Sequence, residues 1–215
     1  MKRNLFWSII FYGISALGIS LTIKAAIGVS SFNSLNVSVT TITGIKVGTI
    51  TTTINLLFLV SCWFLDHRQQ NSYQKLVDYF TLVLALLFFG NLVNLFLYGM
   101  LSPVVLPNYF TRIICFIGGT LISGLATGQV VRLNYLRFPI ENFCQLMAER
   151  TRFTFQQYRY GIDLICVCIA IGLSLCFAIP LAVREGTVIS LFLLSGAISW
   201  SRERVLSFKG IKSTD

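Results

Sequence analysis

Apolar stretches of membrane-spanning length, nearly free of charge, recur along this chain of 215 residues. No other feature constrains the fold as much. The hydrocarbon core of a bilayer is about 30 Å thick, and a helix needs about 20 apolar residues to cross it. The stretches lie at 5–23, 47–65, 79–100, 110–131, 161–183 and 186–201. Hydrophobic residues make up 55% of the chain and charged residues 12%, against about 25% charged in a soluble domain. These figures exclude an ordinary soluble globule and a disordered chain. The run 5–23 is long enough to span and reads as the first membrane helix, not as a cleavable leader. Segments that cross lipid must satisfy their backbone groups internally, so these spans are helical.

Two segments need separate treatment. The last stretch, 186–201, has 16 residues between Glu185 and Arg202. At 1.5 Å per residue that is roughly 24 Å, short of a full crossing. Residues 25–45 are also uncharged but rich in Ser, Thr and Asn. They read as a short helix that lies at the interface or dips partway in. Six crossings with the N-terminus inside put 13 of the 17 Lys and Arg on the cytoplasmic side. Lys24, Lys46, Arg112 and Arg184 fall outside. That asymmetry follows the positive-inside rule and accounts for the formal charge of +9 without any nucleic-acid partner. A seventh crossing at 25–45 would destroy it.

The chain also repeats itself at an offset of 108 residues. Gly48, Thr51 and Asn55 fall one above another on a helix face, and the offset carries them onto Gln156, Arg159 and Asp163. Ala16 and Ser20 map onto Gly124 and Gly128, and short connectors at 30–43 and 138–151 occupy matching places. Three crossings per half would make the halves inverted, a recurring plan of secondary transporters with sites near the midplane. The expected fold is therefore all-α. It is a polytopic single membrane domain over 1–215, with six transmembrane helices in two inverted three-helix repeats, about 1–107 and 108–215. Each repeat carries a short connecting or re-entrant helix.

Asp163 is the strongest single candidate for chemistry, because a carboxylate at depth costs about 2.5–3.5 kcal/mol on insertion scales. Arg159, four residues earlier, can pair with it. Either the pair is structural or Asp163 couples to a solute or proton. Asn55 occupies the matching depth in the first half, and Asn33 lies in the polar connector. The turn Arg184-Glu185-Gly186-Thr187 interrupts the last apolar stretch. A helix beginning there would offer N–H groups and a positive dipole end to an anion. The alternative is an ordinary outer loop with one Arg–Glu pair. The sole histidine, His67, reads as a solvated loop residue. The six cysteines lack metal-ligand spacing. No nucleophile elbow, P-loop or zinc-protease motif is present. Neither an enzyme nor a cofactor is expected.

The stretch VREGTVISLFLLSGAIS at 183–199 resembles the terminal motif of the YczE/YyaS/YitT-like family of bacterial integral membrane proteins. There Gly-Thr enters the last helix and a small residue follows about nine positions on, here Gly186-Thr187 and Gly196. The stretch LGISLTIKAAIGVSSFNSL at 17–35 is similar to that family's first part. Arg159 and Asp163 match the polar start of its penultimate helix. The resemblance implies fold and location more than activity. The expected function is secondary transport of a small polar or anionic solute across the bacterial cytoplasmic membrane, with both termini cytoplasmic. The rival is a non-transporting accessory or scaffold membrane protein. The expected partners are the lipid bilayer and a small solute; association into homo-oligomers is left open.

Overall fold

The computed structural model describes residues 2–66, 72–133 and 135–203, and among these residues the structure is entirely helical. The elements are α1 (Lys2–Ala25), α2 (Ser31–Thr43), α3 (Val47–Leu65), α4 (Ser72–Asn94), α5 (Tyr109–Leu133), α6 (Pro139–Arg150), α7 (Phe155–Phe177) and α8 (Glu185–Glu203). A π-helical turn, Leu95–Met100, extends α4. His67, Arg68, Arg204, Lys209 and Lys212 lie outside the described residues. Among the described residues five stretches are long and apolar enough to cross a membrane: Leu5–Ala25, Val47–Leu65, Tyr73–Met100, Tyr109–Leu133 and Phe155–Phe177. Large apolar side chains face outward, among them Phe64, Leu164, Leu175 and Phe192. This is the build of a helical membrane protein, whose outer surface meets hydrocarbon rather than water.

Helix ends follow local chemistry and correct the sequence reading in three places. α7 starts at Phe155, not near 161, because Thr154 and Gln157 form a reciprocal capping box. α4 starts at Ser72, before its apolar run, and continues through the π-turn. α8 has 19 residues and is about 28 Å long, but it includes Glu185, Arg202 and Glu203 at its ends and is not one of the five stretches above. The segment 25–45 holds one helix, α2, of 13 residues, roughly 20 Å long. It ends on Gly44 in the left-handed region, φ 72°, where glycine is favoured. α6 opens with Pro139 at a position that needs no N–H.

α2 and α6 begin 108 residues apart, as do α3 and α7. The packing crosses over between the halves, with α2 against α7 and α6 against α3. α1 and α5 form the central pair. A Cβ at Gly18 would lie 2.6 Å from Ser123 N and 2.7 Å from the Gly119 carbonyl, so the two backbones almost touch there. On its other side α5 receives α8 at Gly124 and Gly128, where added Cβ atoms would stand 2.7 Å from Ala197 Cβ and 2.6 Å from the Ile198 carbonyl. Small residues permit such contact in lipid. Below this seam Tyr12 stacks on Phe138 at 4.4 Å between centroids, with Phe89 edge-on to both.

Candidate functional site

Between the two halves lies a cavity of about 80 Å³. One wall is made by the start of α2 and the middle of α3. Its polar side chains there are Ser30, Asn33, Thr51 and Asn55. The facing wall carries Glu141 from α6 and Arg159 from α7. Both short helices thus bring their first turns to the cavity, because each is tied by a brief connector to the long helix before it. Asn55 sits eight residues into α3 and Asp163 eight into α7, roughly 12 Å from each helix start.

The charged side of the site is a three-residue cluster. Arg159 Nη1 lies 3.2 Å from Asp163 Oδ1, and Arg159 Nε lies 3.9 Å from Glu141 Oε1. All three side chains are largely buried. Burial pushes the Glu141 carboxyl up from its ordinary value; the Arg159 guanidinium pulls it back down, and Asp163 adds to the rise. The uncharged side is a hydrogen-bond chain. Asn36 Nδ2 donates to Thr51 Oγ1 at 3.0 Å and to Asn33 Oδ1 at 3.4 Å. Asn33 Nδ2 donates to Ser30 Oγ at 2.9 Å, and Asn55 Nδ2 to the Thr51 carbonyl at 2.8 Å. A second cavity, about 200 Å³, opens between α7 and α8 and shares Glu141, Arg159 and Ile198 with the first.

The Arg184–Thr187 turn does not join this site. Gly186 N donates to the Ile27 carbonyl at 3.0 Å, Thr187 N to the Arg184 carbonyl at 2.9 Å, and Arg184 N to Thr187 Oγ1 at 3.2 Å. Arg184 Nη1 donates to the Ala26 carbonyl at 3.2 Å, and its Nε stands 3.9 Å from an exposed Glu185. Of the donors expected to cradle an anion, the Gly186 and Thr187 N–H groups and one guanidinium nitrogen of Arg184 are taken by the chain itself. The loop they hold includes Gly28 at φ +118°, where a Cβ would lie 3.0 Å from Thr187 N. The turn's geometry is that of a clasp between the α1–α2 connector and α8.

A family described as of unknown function, DUF6198, matches residues 1–203. The chain belongs to DUF6198. It is also 24% identical over 148 residues to the uncharacterised protein YyaS of Bacillus subtilis (strain 168), across 67% of this chain and 70% of that one. Both findings are consistent with the YyaS-like family that residues 17–35 and 183–199 resemble. No solved structure matches this DUF6198 chain.

Of the expected site residues, the DUF6198 fold gathers Asn33, Asn55 and Arg159 around one cavity, with Asp163 directly behind Arg159. It leaves Arg184, Glu185, Gly186 and Thr187 apart from it. Glu141 was missed. The same offset that relates Asn55 to Asp163 relates Asn33 to Glu141, and applying it to the connectors would have found this residue. Asn94 bridges helices: its Oδ1 accepts from Gly48 N at 2.8 Å, while Asn91 Nδ2 donates to the Leu87 carbonyl of its own helix.

Proposed function

We propose that this protein is a secondary transporter of a small polar solute, built from six crossings in two inverted halves. α8 is the sixth crossing. The observation that carries the reading is the cavity between the halves, lined by hydrogen-bonding side chains from both and by Glu141 and Arg159 from the second. Sites at a repeat interface near midplane are what alternating access requires. Matching helix starts and crossed packing of α2 on α7 and α6 on α3 support the two-halves plan. Of the polar and anionic solutes left open by the sequence, the geometry favours the polar one. Arg159 is already engaged by two carboxylates. The distribution of Lys and Arg supports a location in the cell membrane with both termini cytoplasmic.

The test is accessibility. In a background with all six cysteines replaced, Asn55→Cys should react with small charged thiol reagents from either side of the membrane in turn. A residue sealed from both sides under all conditions would favour the scaffold reading. Reporter fusions after Pro103 and Ala148 should report exterior and cytoplasm respectively; cytoplasm at Pro103 would end the six-crossing plan.

A further inference from the structure

The charges around the cavity do not balance. Arg159 faces two carboxylates, Asp163 at 3.2 Å and Glu141 at 3.9 Å. Asp163, the nearer, is not part of the cavity wall, whereas Glu141 is. The excess negative charge therefore resides on the carboxylate that faces the empty space. A buried charge without a counter-charge is the costly state, so Glu141 there calls for a proton or a cation. Two helix N-termini reach the site, that of α2 and that of α6, whose first turn carries Glu141; each contributes a partial positive charge, whereas a bound cation supplies a whole one.

The rest of the wall suits a cation. Asn55 is 4% exposed, lines the cavity, and donates through Nδ2, while its Oδ1 accepts no hydrogen bond from the described residues. An unused carbonyl oxygen in that position requires a donor from the occupant. Phe32, Phe89 and Phe138 line the same space, and aromatic faces attract ammonium groups. We propose that the cavity binds a small organic ammonium ion, which takes the place of the proton held by Glu141, with Asn55 Oδ1 as the second acceptor. The proposal rests on the transport reading for the site and adds the class of solute and its exchange for a proton. The groups that act on Glu141 are Arg159 and Asp163 from α7, Tyr12 from α1 and Cys144 on its own helix. Arg137 and Glu149 share an adjoining cleft with it. Of all these, only Arg159 lines the cavity with Glu141.

The experiment uses the purified full chain, with methylammonium and tetramethylammonium as probes, in weakly buffered solution containing a pH indicator. At least one probe should bind saturably at millimolar concentration. Below the pH at which Glu141 ionises, each bound ion should release about one proton, and affinity should fall about tenfold per unit drop in pH, because proton and ion compete for one carboxylate. Glu141→Gln should abolish both binding and release. Should Glu141→Gln not fold, Asn55→Leu keeps every charge and should weaken binding about tenfold. Binding of neither probe, binding without proton release, or unchanged binding in the variant that folds would overturn the proposal. Reconstitution separates it from the transport reading. Proton-linked binding without counterflow in vesicles sinks transport alone; counterflow of another solute without ammonium binding sinks the ammonium site alone.

Discussion

The seam between α3 and α4 and the place between α7 and α8 occupy equivalent positions in the two halves, yet one is closed and the other open. α4 lies along α3 so closely that an added Cβ at Gly48 would overlap the Gly90 carbonyl, and one at Gly90 would overlap the Thr52 hydroxyl. Thr52 Oγ1 bonds to the Gly48 and Leu86 carbonyls, and Asn94 caps the Gly48 N–H. At the offset of 108, Gly48 becomes Gln156, Thr52 becomes Tyr160 and Gly90 becomes Ile198. Those side chains line an open cleft of about 200 Å³. A shared helix plan thus does not impose a shared interface: small residues zip α3 to α4, while larger ones stand at the equivalent places between α7 and α8. The cleft shares Glu141 and Arg159 with the cavity, so the transport reading assigns the moving side to α7 and α8.

The sharpest way to break this comparison is to exchange side-chain size across the halves. Gly48→Leu should leave no folded protein, since overpacking against backbone cannot relax by rotamer change. Gln156→Leu at the equivalent position should shift stability by no more than about 0.5 kcal/mol. Thermal unfolding of the purified variants reads both, and equal tolerance would mean the two seams are alike after all.

A smaller effect separates the polar and charged walls. Arg159→Leu leaves Asp163 without its counter-charge and prevents Glu141 from ionising, and should cost about 3–5 kcal/mol. Neutralising the carboxylates in the same chain, with Glu141→Gln and Asp163→Asn, should recover most of it. Thr51→Val, the equivalent position in the first half, removes only the acceptor for Asn36 and should cost about 1 kcal/mol. Comparable losses at the two positions would remove the distinction between the walls.

The smallest effect sharpens the reading of the α7–α8 cleft. Gly196 has nothing within 4 Å of an added Cβ, and it lines the α7–α8 cleft. Gly196→Phe should change stability by at most about 0.5 kcal/mol while slowing thiol labelling at position 55 from the side the cleft serves. Unchanged labelling would place the route elsewhere.

The long apolar helices were legible because lipid enforces length and low charge directly on the sequence. The Arg159–Asp163 pair was legible for the same reason, since two charges four residues apart in an apolar run must face each other. Glu141 was hidden because it sits in a polar connector, where a carboxylate is unremarked until burial makes it costly. The Arg184–Thr187 turn lies apart from the cavity. Its composition suits an anion cradle, but its Gly186 N–H and the Arg184 guanidinium reach the Ile27 and Ala26 carbonyls, about 158 residues away in sequence.

What the sequence alone determined was the class of protein, the positions of most helices, the offset between halves and two of the three charged residues. These follow from local rules: solvation sets which segments enter lipid, and periodicity sets which residues share a face. Tertiary structure decided which turns converge on one cavity, which donors were already spent, and which of two equivalent seams stayed open. Those depend on contacts between residues far apart in the chain, where the fit of Gly48 against Gly90, or its loss at Gln156 and Ile198, turns on the distance between two backbones that no local pattern specifies.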